Sequence, residues 1–254
     1  MNPLHKKSFH KKKSHPVFDA YPEFDEYTET INSLDAITSP RIIILHRTSD
    51  PISQSGKHLG IFSGSFNPLT IAHIKLVEEA CKQYHLDEIL LLLAKSNVDK
   101  DVYGLPLAGR MLILKAYAET QPYISIGVSS HGRYIDKVSA LKTIYPPQTD
   151  FSFIVGYDTL VRIFDPKYYK NLHEELQLLF SQCRLIAANR EETDISAIQQ
   201  FLSQTSIQAY RQHVDYLLLP DDYAEISSTD VRRRLENGKP ISHLVPPIVA
   251  EFLC

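Results

Sequence analysis

Beyond residue 40 the chain alternates short apolar runs with stretches of helical spacing. Residues 41–47 (RIIILHR) form a β-branched run between charges and predict a buried strand. A polar loop with Pro51 and Gly56 follows, then a second strand over residues 58–63 (HLGIFS) that ends at Gly64. Ile74, Val77, Cys81 and Tyr84 recur at helical intervals and predict a helix over 70–84. Residues 88–94 (EILLLLA) are apolar almost throughout, as a parallel strand covered on both faces requires. The alternation continues with helix 107–120, strand 124–128, helix 134–145, strand 151–155, helix 170–180 and strand 183–188. It closes with helix 194–204 capped by Asp194, strand 214–219, a short helix 228–236 stopped by Gly238 and Pro240, and a final helix 244–253. Strands alternating with helices in this way predict an α/β fold, a doubly wound parallel sheet with flanking helices. No repeat or long linker breaks the pattern, so one domain is expected over residues 41–254.

The first 40 residues differ. Lys6, Lys7, Lys11, Lys12 and Lys13 make a basic patch with no apolar run behind it, which excludes a secretory signal. Asp19, Glu23, Asp25, Glu26 and Glu29 follow, with Pro3, Pro16 and Pro22 among them. A basic block beside an acidic block reads as a flexible tail over residues 1–40. Its lysines serve either as a nuclear address or electrostatic handle, or simply as a solvated end. His5, His10 and His15 are read as coincidence rather than a metal site.

Composition narrows the function classes. A formal charge of −3 over 254 residues is not that of a polycation coating nucleic acid. Three well-separated cysteines, Cys81, Cys183 and Cys254, contain no C-x-x-C pair, which disfavours a cysteine-held zinc or a redox dithiol and fits a reducing compartment. The longest apolar run, residues 89–94, is too short to cross a bilayer. A cytoplasmic protein, with nuclear entry through the tail as an option, is the expectation; no nucleic-acid or membrane partner is expected.

In an open α/β sheet the ligand lies beyond the carboxyl ends of the strands, at helix N-termini. Two segments there carry candidate chemistry. Residues 64–73 (GSFNPLTIAH) follow a strand and open a helix. Gly64 permits close backbone approach, Ser65 and Phe66 can offer backbone N–H groups, and Pro68 fixes the turn. Thr70 is a natural N-cap, and His73 falls in the first helical turn, where anions are favoured. Residues 226–235 (ISSTDVRRRL) also open a helix, with the hydroxyls of Ser228 and Thr229 and the guanidinium of Arg232 in its first turns. That is a second ready site for phosphate. The alternative for each segment is an ordinary capped helix with a solvated polar face.

Together the two segments resemble the T-x-x-H and I-S-S-T-x-x-R motifs of the nucleotidyltransferase superfamily, and within it the nicotinamide-mononucleotide adenylyltransferases. Residues 153–160 (FIVGYDTL) are similar to that family's strand followed by G-x-D, and the resemblance spans residues 58–254. It implies a Rossmann-like fold of nucleotidyltransferase type and a reaction joining ATP to nicotinamide mononucleotide, or to its nicotinic acid counterpart, with release of pyrophosphate. It also implies Mg²⁺ accompanying ATP, held through substrate and water rather than by a protein metal site. By position, Gly64, Phe66, His73, Gly156, Asp158, Ser228, Thr229 and Arg232 would bind ATP, with His73 and Arg232 stabilising charge as pyrophosphate leaves. Ser65, Lys100, Tyr168 and Tyr169 would serve the mononucleotide, Lys100 being chosen over Lys95 and Arg110 as the cation at the attacking phosphate. Many relatives stack the pyridine ring on Trp, which this chain lacks. Tyr103, Tyr157, Phe164, Tyr168 and Tyr169 are the aromatic alternatives, the last two standing where a stacking ring is expected. Two other functions remain open: a cytidylyltransferase or other nucleotidyltransferase, and a catalytically silent nucleotide-binding regulator. The sequence leaves monomer and homo-oligomer equally open.

Overall fold

The computed structural model describes residues 17–18, 20–95, 104–189 and 194–253. The chain runs α1 (Glu23–Ser33), β1 (Ile42–His46), β2 (His58–Ser63), α2 (Ile71–Tyr84), β3 (Glu88–Ala94), α3 (Leu107–Ala118), β4 (Ile124–Ser129), α4 (Tyr134–Leu141), β5 (Asp150–Gly156) and α5 (Tyr157–Ile163). It continues through α6 (Leu172–Phe180), β6 (Arg184–Ala188), α7 (Ile195–Leu202), β7 (Val214–Leu217), α8 (Asp221–Ala224), α9 (Ser228–Glu236) and α10 (Pro247–Leu253). The seven strands form one sheet in the order β1-β4-β3-β2-β5-β6-β7. Six of them run parallel, while β1 pairs antiparallel with β4 at the edge. This is a Rossmann-like sheet with one antiparallel edge added.

The continuous apolar run of β3 is explained by its two covered faces. Ile89, Leu91 and Leu93 join the core under α1, α2, α3, α9 and α10. Leu90 and Leu92 join the core under α4 to α7. Successive side chains of a strand point to opposite faces, so a strand sandwiched by helices needs apolar residues at every position. From β2 the chain winds outward through β3 and β4, then returns to place β5 on the other side of β2. The strand order therefore reverses at β2 and β5, where the loops after Ser63 and Gly156 splay apart and open a crevice.

Two expectations are corrected. Within the supposed flexible tail, Phe18, Tyr27, Ile31 and Leu34 are buried in the core, and α1 packs on α3. Phe24, Tyr27 and Ile31 lie at helical spacing, while Asp25, Glu26 and Glu29, three of the acids that suggested disorder, are exposed on this helix and Glu23 pairs with Lys115 of α3 at 3.5 Å. Phe18 covers Gly109 so closely that a Cβ there would lie 2.6 Å from its ring. Lys95 donates from Nζ to the carbonyls of Asn32, at 3.1 Å, and Leu34, satisfying the orphan end of α1. The basic patch at residues 6–13 lies outside the described residues. The final helix, expected from residue 244, begins at Pro247, whose missing N–H is harmless in a first turn.

At the amino end of the sheet Glu88 is fully buried at the start of β3. Its carboxylate accepts from the Ile52 backbone N–H at 2.9 Å and from the Tyr145 hydroxyl at 2.8 Å. The loop before β2 and the segment after α4 are thereby tied to one group. Glu88→Ala should cost about 1–3 kcal/mol by leaving two buried donors unpaired. Urea denaturation will show the loss. Activity at ambient temperature should persist, because Glu88 lies at the opposite end of the strands from the crevice.

Candidate active site

The loop after β2 is built by close packing. Gly64 donates its N–H to the Leu92 carbonyl at 3.2 Å, and a Cβ at Gly64 would come within 3.2 Å of the Phe66 ring. Phe66 is 2% exposed and has φ +40°, a conformation that bulky L residues avoid. Its ring packs edge-on against Phe62 and His73, with centroids 5.3 and 5.5 Å away. Phe66 therefore serves as the loop's anchor, and only its backbone groups are left for the nucleotide role expected of it. Strain held by such packing is typical of functional loops. The following Asn67–Pro68 bond is cis. Asn67 accepts from the Leu105 N–H at 3.1 Å, and Gly104, at φ +90°, leaves no room for a Cβ beside the Asn67 side chain.

Thr70 then caps α2. The Thr70 side chain accepts from the His73 N–H, while the Thr70 N–H donates to His73 Nδ1 at 3.0 Å. This reciprocal capping box has a chemical consequence. Because Nδ1 is an acceptor, the neutral imidazole carries its proton on Nε2. The ring is thus held in the tautomer whose second nitrogen can donate to an anion. The hydroxyl of Thr70, 2.7 Å from Nδ1, adds to this hold.

The second segment meets the first. Ser227 caps α9 by accepting from the Asp230 N–H at 3.1 Å. Ser228 Oγ donates to the Pro68 carbonyl at 2.8 Å, and Arg232 Nη1 donates to the Asn67 carbonyl at 2.7 Å. Arg232 Nη2 also reaches Thr229 Oγ1 at 3.2 Å. Arg233 and Arg234 are instead bound to Asp230, which depresses that carboxyl's pKa. Of the three arginines, Arg232 is thus the one turned to the loop. Arg110 from α3 lies beneath, donating to the Leu105 carbonyl at 2.7 Å and the Ser65 carbonyl at 3.3 Å. Burial, with some repulsion from Arg232, lowers its guanidinium pKa to about 10, so it stays charged at neutral pH. Arg110 and Arg232 are both satisfied by neutral oxygens, a fixed positive field at the crevice.

Ser65, Tyr168 and Tyr169, three of the four residues expected to serve the mononucleotide, line an adjoining cavity of about 430 Å³. Ser63, Gly64 and Ser65 line one part of it, and Tyr168 and Tyr169 another. Arg133 and Glu175 form an ion pair among the lining residues. Lys167 stands 4.7 Å from the Tyr168 ring centroid, and Arg133 stands 5.9 Å from that of Tyr169. Gly156 caps α5 at the end of β5, and Asp158 sits exposed in the first turn of that helix. Lys100 and Tyr103 lie outside the described residues. Lys95 is committed to the end of α1 and Arg110 to backbone carbonyls.

Sequence reasoning missed Lys137. It is 4% exposed, lines the cavity, donates to the Gly132 carbonyl at 2.8 Å and lies 4.7 Å from the Tyr134 ring centroid. Desolvation lowers its pKa to about 8. A signal existed: Tyr134, Lys137, Val138 and Leu141 share one helical face, so the lysine sits on the apolar side. Among the described residues no group of three His, Cys, Asp or Glu side chains forms a metal cage, and no helix is long and apolar enough to cross a membrane.

A model of cytidylyltransferase-like proteins matches residues 61–234. The chain belongs to the cytidylyltransferase-like family. Its curated relatives include two proteins named probable nicotinate-nucleotide adenylyltransferase. One, from Dehalococcoides mccartyi, is 30% identical over 202 residues, covering 76% of this chain and 93% of the relative. Another, from Desulfotalea psychrophila, is 28% identical over 211 residues, covering 78% and 97%. Among solved structures, the nicotinic acid mononucleotide adenylyltransferase of Plasmodium falciparum, complexed with NaAD, superposes with a TM-score of 0.58. It is 18% identical, covers 77% of this chain and 94% of its own, and supports the fold.

The capping box makes the spacing of Thr70 and His73 a device for orienting a ring. His73→Ala should lower kcat by about 10²–10³, the scale for removing one preorganised donor to developing charge. Thr70→Val should lower kcat while Thr70→Ser preserves it, because only the hydroxyl keeps the cap and the ring's orientation. Steady-state pyrophosphate release, beside a melting curve for each variant, measures both.

Proposed function

We propose that this protein transfers the adenylyl group of ATP to nicotinate mononucleotide, releasing pyrophosphate. The observation that carries the reading is the direct tie between the two phosphate-binding segments. Ser228 and Arg232 of α9 bind the carbonyls of Pro68 and Asn67 in the loop that precedes α2. Two helix N-termini, a donor imidazole and two guanidiniums thus converge where the strand order reverses. Such a field suits a triphosphate and a second phosphate brought close together.

In the reaction, a phosphate oxygen of the mononucleotide attacks the α-phosphorus of ATP in line. The bond from that phosphorus to the bridging oxygen breaks, and pyrophosphate departs with the electron pair. No protein nucleophile is required, so catalysis consists of positioning and charge stabilisation. His73 donates from Nε2 to the leaving phosphates, joined by the N–H groups at the start of α9 and by Arg232. Ser228 and Thr229 help hold the triphosphate, Gly64 and Ser65 line the junction of the two substrates, and Gly156 and Asp158 approach a ribose. Magnesium would accompany ATP as part of the substrate, held through phosphate oxygens and water, and would supply neutralisation of phosphate charge.

The acid replaces the amide as the favoured acceptor on two grounds. The curated relatives are named for nicotinate. The cavity beside Ser65 is lined by Arg133, Lys137, Arg162 and Lys167 against the single carboxylate of Glu175. Tyr168 and Tyr169 take the stacking place that Trp would fill.

The test is pyrophosphate release from MgATP with the acid mononucleotide, the amide mononucleotide, phosphopantetheine and phosphocholine, beside a parallel series with CTP. Release with ATP and the acid, yielding the dinucleotide, is expected. Turnover confined to CTP or to a non-pyridine acceptor would overturn the substrate assignment, and nucleotide binding without turnover would point to a regulator. Arg232→Ala should raise the KM for ATP more than that for the mononucleotide. An effect confined to the mononucleotide would reverse the two subsites.

A further inference from the structure

We propose that Lys137 is the specificity-determining residue that receives the acceptor's pyridine carboxylate. The inference rests on the acceptor assignment above and adds the group that reads the difference between acid and amide.

The geometry of α4 isolates this ammonium. Its Nζ donates to the Gly132 carbonyl and faces the ring of Tyr134, and both of those residues line the same cavity as Lys137. An ammonium has three N–H donors. One is used by Gly132, and the ring face offers electrostatic attraction without a lone pair of carboxylate strength. Asp136, its sequence neighbour, acts on it only through space. A buried charge held without a carboxylate is costly, and the cost is relieved when a counter-charge enters the site.

The other cations of the cavity are differently placed. Arg133 is bound to Glu175, and Lys167 pairs with Asp165 at 3.1 Å. Arg133, Arg162 and Lys167 are exposed, whereas Lys137 is buried. The rim cations are screened by solvent, so they raise local anion concentration more than they discriminate between acceptors. A buried cation meets a bound carboxylate at low dielectric, where the difference between a carboxylate and a neutral amide is largest. The cavity also has the right shape for an aromatic acid. Tyr168 and Tyr169 offer ring faces, and Ser63, Gly64 and Ser65 connect it to the loop that would hold the attacking phosphate. Its volume of about 430 Å³ accommodates a pyridine ring with its ribose.

The experiment compares wild-type protein with Lys137→Met and Lys137→Gln. Pyrophosphate release is followed at saturating MgATP with varied acid or amide mononucleotide. Both variants should lose about 10–100-fold in kcat/KM for the acid, the value of one charge-assisted hydrogen bond. The amide should lose much less, so that the preference for acid over amide falls by about 10-fold or more, while the KM for ATP, bound at the other segment, moves little. Lys137→Met should melt at or above the wild-type temperature, since it removes a buried unpaired charge. A purely structural lysine would lower the melting point and impair both acceptors in parallel, and that result would overturn the proposal. So would an unchanged preference for the acid. Should wild-type protein use neither pyridine nucleotide, the acceptor assignment fails, and calorimetric titration with free nicotinate and free nicotinamide decides Lys137 separately. Binding of nicotinate that Lys137→Met abolishes would uphold the carboxylate site, and absence of nicotinate binding to wild type would overturn it.

Discussion

Everything at the catalytic end of this molecule depends on two hydrogen bonds that cross about 160 residues of sequence. Ser228 and Arg232 donate to the carbonyls of Pro68 and Asn67. Those carbonyls belong to the loop between β2 and α2, so the second segment completes the first. The same contacts fix the guanidinium of Arg232 beside Arg110 and aim the start of α9 at the end of α2. Without them, two capped helices would stand apart, each a weak anion site. With them, the two become one site with a shared positive field.

The rest of the fold holds that junction still. The sheet reverses its winding between β2 and β5, which opens space beyond their carboxyl ends. Phe66 is driven into the core although its backbone is strained, and Gly64 and Gly104 give up side chains so that the loop can close on Phe66 and Asn67. The first N–H of α2 is taken by the Leu244 carbonyl at 3.0 Å, which binds the C-terminal segment to the same loop. At the far side α1 lies over α3, with Lys95 at its end and Phe18 over Gly109, next to Arg110. The N-terminal helix thereby packs directly behind the element that supplies the buried guanidinium.

Electrostatics divide the crevice into two kinds of positive charge. Arg110 and Arg232 are hydrogen-bonded to neutral backbone carbonyls, so their charge is not cancelled by a carboxylate at those contacts. Arg233 and Arg234 spend theirs on Asp230 and contribute to the stability of α9 instead. In the adjoining cavity Lys137 is desolvated, and the ion pair of Arg133 with Glu175 stands among the lining residues. The sign and location of these groups match a donor with several phosphates and an acceptor with a phosphate at one end and an acid at the other.

The sequence by itself determined the class of sheet, because periodicity is local. β3 had to be apolar from Ile89 to Ala94 to be covered twice, and the helices after Gly64 and Ser227 announced themselves by their caps. It also put His73, Ser228, Thr229 and Arg232 in the first turns of helices as candidate phosphate ligands, a reading that the resemblance of the two segments to known motifs sharpened. Residues 20–40 misled it, since exposed acids on a docked helix look like acids in a tail until α3 is seen to bury Tyr27 and Ile31. The motif singled out Arg232, but only the fold shows why Arg233 and Arg234 differ from it: those two turn to Asp230. The sequence did not reveal Lys137, whose character comes from its burial beside the Gly132 carbonyl and the Tyr134 ring. Tertiary structure decided these matters because desolvation, charge pairing and the meeting of remote loops are properties of surroundings, and surroundings exist only once the chain has folded.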